Sequence, residues 1–126
     1  MKILIETIPH SKQRYPTCGD WKIEPDGTVH ILVSQEVGED SAFAIAVHEL
    51  LEQNLCAQSG ITQKSVDDFD IAFEKNRKPG DDSEPGDDPL APYKKEHFFA
   101  TSIERLVVAE KGMDWFDHDD RILSLP

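Results

Sequence analysis

The chain has 126 residues, of which 38% are hydrophobic and 30% are charged, and its formal net charge is −12. This length suffices for one core, so we expect residues 1–126 to form a single domain. The acidic balance repels phosphate backbones and anionic lipids, which disfavours nucleic-acid and membrane binding and makes a basic protein the expected partner. No apolar segment is long enough to span a bilayer, and Glu6 interrupts the N-terminal segment where an export signal would be apolar. A soluble, cytoplasmic protein is therefore expected.

The N-terminal third of the chain predicts a small sheet. Within residues 2–8, Ile3, Ile5 and Ile8 stand among polar residues in the way expected of a strand with one covered face. Two further strands, residues 20–24 and 28–34, flank Pro25-Asp26-Gly27, a turn sequence in which glycine can adopt a positive φ. A strand followed by a hairpin predicts an antiparallel sheet.

Three main helices and a short fourth follow the hairpin. Ser41 is the predicted N-cap of the first helix, which runs to about Ser59. The second helix is predicted over residues 65–76, the third from about 93 to 111, and a short helical turn over 114–120. The predicted fold class is therefore α+β, with a small antiparallel sheet packed on three main helices.

The segment between the second and third helices is strongly acidic. It contains Pro-Gly-Asp-Asp twice between Lys78 and Pro89, and it has no apolar residue to bury. We therefore predict a mobile acidic loop over about residues 78–90. Its aspartates lack the ligand spacing and closing glutamate of an EF-hand, so a calcium site is not expected.

Two of the predicted helices carry an imidazole and a carboxylate within an otherwise apolar stripe. His48 and Glu52 lie one turn apart on the first helix, and His97 and Glu104 lie two turns apart on the third. A buried charged group without a partner is costly, so these groups need each other or a metal ion. We therefore expect the two helices to pack side by side, with His48 facing His97.

This pattern allows two interpretations of the cluster. In the first, His48, Glu52 and His97 bind a divalent metal such as zinc, with Glu104 as a fourth ligand or as a partner behind the ligands. Glu49 then takes the position of the general base in the His-Glu-x-x-His helix of zinc hydrolases, although the fifth residue here is a glutamate. In the second, the same residues form a metal-free buried network that holds the two helices together.

Other polar and sulfur-bearing residues are assigned structural or solvated positions. Asp70 is either a further group that reaches the same site from the second helix or, as we expect, an exposed acid on the flank of that helix. Cys56 is either a soft ligand one turn after Glu52 or, as we expect, a buried structural thiol. Cys18 and Cys56 are both expected to be reduced. Trp21 is expected in the core, and three histidines are expected at the surface: His10, His30 and His118.

Several segments resemble a group of small uncharacterised bacteriophage and prophage proteins. The matching segments are RYPTCGDW, VHELLEQNLC, VDDFDIAFEKNR, EPGDDPLAPYKKEHFFATSIERLVVAE and the later DW. The resemblance implies a phage or prophage gene and brings no assigned activity.

A more distant resemblance is to small zincin-like metalloproteins, in which strands precede a His-Glu helix and a later helix gives the last ligand. It implies His48 and Glu52 as ligands, Glu49 as the base, and His97 or Glu104 as the remaining ligand. The expected function is thus that of a phage-derived metalloprotein with hydrolase chemistry. The alternative is a non-enzymatic phage accessory protein whose acidic surface binds a basic partner.

Overall fold

The structure is a computed structural model that describes all 126 residues, with three strands and four helices. The strands β1 (Ile3–Ile8), β2 (Gly19–Ile23) and β3 (Val29–Ser34) form one sheet in the order β1-β3-β2. The helices are α1 (Glu39–Gln58), α2 (Gln63–Lys75), α3 (Lys94–Glu110) and α4 (Trp115–Leu123). The predicted α+β class is confirmed. None of the four helices combines the length and apolar composition that crossing a bilayer requires.

The sheet is mixed, which corrects the predicted antiparallel arrangement. β2 and β3 form the expected hairpin, with Trp21 opposite Ile31, and Gly27 in its turn has a φ of +89°. β1 instead runs parallel to β3, with Ile5 opposite Ile31. The prediction was wrong because alternation of apolar residues reports which faces are covered and carries no information about strand direction.

β1 lies at an open edge of the sheet and is exposed along its length. Ile3, Leu4 and Ile5 are 40%, 43% and 50% exposed. The prediction of one covered face is therefore wrong for this strand. The reason is the position of α1, which packs over β2 and β3 and leaves β1 uncovered.

Helix α1 forms the middle layer of the protein. Trp21 and Ile31 on one face of the sheet pack against Ile45 of α1 in the main core. On its other side α1 packs along α3, where Ala100 and Val108 are almost completely buried. The predicted side-by-side packing of these two helices is confirmed.

The helix starts are set by residues with specific backbone or side-chain geometry. Gly38, with a φ of +88°, directly precedes α1, so Ser41 lies inside the helix and is buried. Its predicted role as N-cap is therefore wrong. The side chains of Thr62 and Asp114 do cap α2 and α4, each accepting hydrogen bonds from backbone N–H groups of the first turn.

The acidic segment before α3 has two different halves. Residues 78–84 are exposed, whereas Pro85–Asp87 form a single 3-10 turn in which Gly86 is buried. Gly86 approaches the imidazole of His97 so closely that any Cβ at this position would overlap the ring. The amino-acid composition of the segment does not predict this contact, because the backbone of Gly86 makes it and no apolar side chain takes part. The mobility of the segment stays a prediction.

Candidate metal centre

His48 and Glu52 of α1 meet His97 of α3 in the interface between the two helices. Oε2 of Glu52 lies 2.9 Å from Nδ1 of His97 and 3.2 Å from Nε2 of His48. All three residues are buried, and the two imidazole rings meet edge to face with their centroids 4.8 Å apart. The structure therefore brings together three of the predicted site residues, and His48 faces His97 as expected.

The spacing of the three atoms suits a small cation. The two imidazole nitrogens and the carboxylate oxygen all lie within 4.8 Å of one another. Ligand atoms bound tetrahedrally about 2.1 Å from zinc stand about 3.4 Å apart. The two nitrogen–oxygen distances of the cluster, 2.9 and 3.2 Å, are close to this spacing, and the two nitrogens are no more than 4.8 Å apart.

Glu104 lies behind His48 and away from the three converging atoms. Its Oε1 is 2.9 Å from Nδ1 of His48, whereas the other ring nitrogen faces Glu52. The Glu104 oxygen lies off the N–H direction, so Nδ1 makes no aligned hydrogen bond and the contact is chiefly electrostatic. Glu104 thus lies where a partner behind the ligands would lie, and whether it is a ligand or such a partner stays a prediction.

His118 of α4 extends this chain of contacts, and its predicted surface position is wrong. It is 1% exposed, with Nε2 2.6 Å from Oε2 of Glu104 and Nδ1 3.0 Å from Oγ of Ser41. The signal for its burial is the spacing of Trp115, His118 and Ile122, which share one face of a helix whose other residues are mostly polar.

His97 and Glu52 also have partners on the atoms that point away from the cluster. Nε2 of His97 lies 2.9 Å from Oε2 of Glu84 and 3.4 Å from Oδ1 of Asp87, both in the acidic segment. Nε1 of Trp21 donates a hydrogen bond of 3.1 Å to Oε1 of Glu52. Glu84 and Asp87 were missed because a loop has no periodicity from which a side-chain direction can be read.

The cluster favours charged forms of its members. Burial alone would lower the pKa of His97, but the carboxylates of Glu52 and Glu84 raise it to about 10. Burial opposes ionisation of Glu52, yet hydrogen bonds from His48 and His97 lower its pKa to about 2. His48 is also buried, and Glu104 and Glu52 raise its pKa well above the usual value. Protonation of both imidazoles would therefore bring two positive charges, the same charge as a divalent cation.

Glu49 is half-buried on α1 beside the cluster and points toward the start of β2. A Cβ on Gly19 would lie 2.6 Å from Oε1 of Glu49, so the glycine provides room for this carboxyl group. Burial and the neighbouring Glu52 raise the pKa of Glu49 well above the usual value. Glu49 is therefore a carboxyl group able to exchange a proton nearer neutral pH than an ordinary glutamate.

Asp70 is buried, which corrects its predicted exposed position. It accepts hydrogen bonds from the hydroxyl groups of Tyr93 at 2.5 Å and Tyr15 at 3.1 Å, and burial raises its pKa to about 7. The ring of Tyr93 meets that of His97 edge-on at 6.0 Å, so Asp70 lies behind the cluster. The sequence does indicate this burial, because Asp70 lies one helical turn after Val66 and therefore on the same buried face of α2.

The remaining residues lie outside the cluster. Cys18 and Cys56 are free thiols, as predicted, and Cys56 is completely buried in the core. Burial raises the pKa of both thiols to about 12, so neither is an activated nucleophile. His10 and His30 are partly exposed.

A scan against models of protein families and searches of curated proteins and of solved structures returned no match. The predicted resemblance to phage proteins stays a prediction. The chemistry of the cluster is therefore inferred from its geometry.

Proposed function

We propose that the protein binds a divalent cation, zinc in the first instance, through Nε2 of His48, Nδ1 of His97 and the carboxylate of Glu52. The observation that carries this proposal is the convergence of three ligand atoms, because each of the three residues also contacts a polar partner on the side away from the cluster. Glu104 lies behind His48, Glu84 behind His97, and Trp21 binds the second oxygen of Glu52. Such outer partners are typical of metal ligands, because they fix the ring orientation and raise ligand basicity.

We further propose that the centre is that of a metal-dependent hydrolase with a distant, zincin-like relationship. Two imidazoles and one carboxylate form a known catalytic zinc set, which leaves a fourth position open. His48, Glu52 and His97 would hold the cation, which would supply Lewis acidity toward a carbonyl or phosphoryl oxygen and toward water. Glu49 is the general base in this proposal, because it follows His48 on α1 beside the cluster and burial raises its pKa above that of an ordinary glutamate.

A specific observation favours a second candidate, a metal-free network in an accessory protein without enzymatic activity. His48 and His97 each have carboxylate oxygens near both ring nitrogens, so two imidazolium ions can balance the surrounding acids. In this case the cluster holds α1 against α3, and breaking it strands a buried charge.

Elemental analysis of protein purified without a metal-affinity tag separates the two candidates. The proposal predicts one equivalent of a divalent metal in the parent and none in His48→Ala. Glu49→Gln should retain the metal and lose hydrolysis of simple ester and peptide probes, because a general base lowers a barrier and is not a ligand. Glu110→Gln, an exposed change of the same charge on α3, should retain both. A parent protein that binds no metal even with added zinc contradicts the proposal and favours the metal-free network.

A further inference from the structure

The open edge of the sheet along β1 has the features that isolated proteins avoid. Its first three residues, Ile3, Leu4 and Ile5, are apolar and each is at least 40% exposed, and no proline interrupts the strand. Such an edge presents unpaired N–H and C=O groups together with apolar side chains. It is therefore a template for pairing with another strand.

An apolar groove of about 520 Å³ continues this surface onto α1. Ile5 and Val33 contribute from the sheet, and Phe43, Val47 and Leu50 from the helix. Phe43, the fifth residue of α1, is 55% exposed. The edge and the groove together form one contiguous apolar surface.

The backbone hydrogen bonds define which residues of β1 face outward. The carbonyl of Lys2 accepts a hydrogen bond of 3.0 Å from the N–H of Val29, so Lys2 and every second residue after it face β3. The N–H and C=O groups of Ile3, Ile5 and Thr7 therefore point to the open edge. Any added strand must bond to these three residues.

We propose that β1 pairs antiparallel with β1 of a second copy of this chain, around a twofold axis at Leu4. This register places Ile3 opposite Ile5 of the other copy as hydrogen-bonded pairs. It also places Lys2 opposite Glu6 of the other copy, in positions without backbone bonds, where side chains approach most closely. The result is one six-stranded sheet with the order β2-β3-β1-β1-β3-β2.

The charges on β1 favour a second copy over an unrelated strand. The chain is strongly acidic as a whole, yet residues 2–6 carry one positive and one negative charge at the two ends of an apolar stretch. One oxygen of Glu6 contacts Nε2 of His30 at 2.6 Å, and the side chain remains 46% exposed. Moving the axis by one residue, to Ile5, keeps the backbone bonds but places Leu4 opposite Glu6 and leaves Lys2 without its partner. The register with its axis at Leu4 therefore pairs Lys2 with Glu6 and also lets the outward N–H and C=O groups of β1 form hydrogen bonds.

Light scattering coupled to size exclusion, over a range of protein concentrations, tests this pairing. The parent should have twice the mass of one chain. Lys2→Glu and Glu6→Lys each place like charges opposite each other twice, and each should raise the dimer dissociation constant by about tenfold or more. An equimolar mixture of the two variants should dimerise again, because each copy supplies the charge that the other lacks. Circular dichroism verifies that the variants remain folded.

Lys12→Glu, an equal change of charge at an exposed residue outside β1, is the matched control and should leave the dimer unchanged. A monomeric parent overturns the proposal, as does a dimer that both variants leave intact or a mixture no tighter than its components. The metal site plays no part in this pairing, so treatment with chelator should not alter the masses.

Discussion

Oε2 of Glu52 lies 2.9 Å from Nδ1 of His97, and this contact joins α1 to α3 inside the protein. The second oxygen of Glu52 accepts a hydrogen bond from Trp21 of the sheet. One carboxylate thus connects three layers of the fold. The same carboxylate is central to the proposed metal centre, so changes around it should affect both metal affinity and stability.

Changing Glu104 tests whether it acts from behind His48. Glu104→Gln should weaken zinc affinity by about 10- to 100-fold, because it removes the negative charge that lies beside Nδ1 of His48 and raises the basicity of the imidazole. His97→Ala should abolish binding, since it removes a ligand. Competition with a chelating dye measures both affinities, and Glu110→Gln provides a control of equal charge change. If Glu104→Gln abolished binding as fully as His97→Ala, Glu104 would be a direct ligand.

The two Pro-Gly-Asp-Asp repeats should differ in their tolerance of deletion. Deleting residues 79–82 removes exposed chain and should change the free energy of unfolding by less than about 0.5 kcal/mol. Deleting residues 85–88 removes the turn that covers His97 and should cost about 2 kcal/mol or more. Urea unfolding of the two variants gives the comparison. Equal losses would show that the turn adds nothing to stability.

Gly86→Ala should destabilise the protein by about 1–3 kcal/mol, because the added methyl group overlaps the His97 ring. The cost should fall in a His97→Ala background, where the ring is absent. Unfolding of the parent, both single variants and the double variant forms a complete cycle. A cost that is the same in both backgrounds would place the strain elsewhere.

Asp70 should make stability fall as the pH rises. Burial raises its pKa to about 7 in the folded protein, against about 3.9 in an unfolded chain. Its contribution is therefore full below about pH 4 and is lost as the pH rises through 7. Asp70→Asn should remove this slope, which is on the order of 1 kcal/mol per pH unit. Unfolding free energies from pH 4 to 7 test this, and parallel curves for parent and variant would contradict it.

Helical periodicity was enough to predict the central part of the site. It places His48 and Glu52 on the same buried stripe of α1 and His97 on that of α3, and two such stripes must face each other. Periodicity over the whole of α4 also indicates burial of His118, but the short turn predicted over residues 114–120 stops before Ile122. The hairpin was predictable from its turn sequence.

Other features depend on contacts that no local pattern encodes. β1 is parallel to β3 because the segment between β1 and β2 stays at one end of the sheet and passes the end of β3, whereas the apolar pattern of a strand is the same in either direction. The contact of Gly86 with His97 is made by backbone, which leaves no trace in composition. Glu84 reaches His97 only because that turn fixes its position.

The most direct test of the metal centre is thermal unfolding of the chelator-treated parent with and without one equivalent of zinc. A ligand that binds only the folded state raises the melting temperature by mass action. We expect zinc to raise the melting temperature of the parent and of Glu110→Gln, and to have no such effect on His48→Ala or His97→Ala. A parent whose melting temperature does not change with zinc would contradict the metal centre.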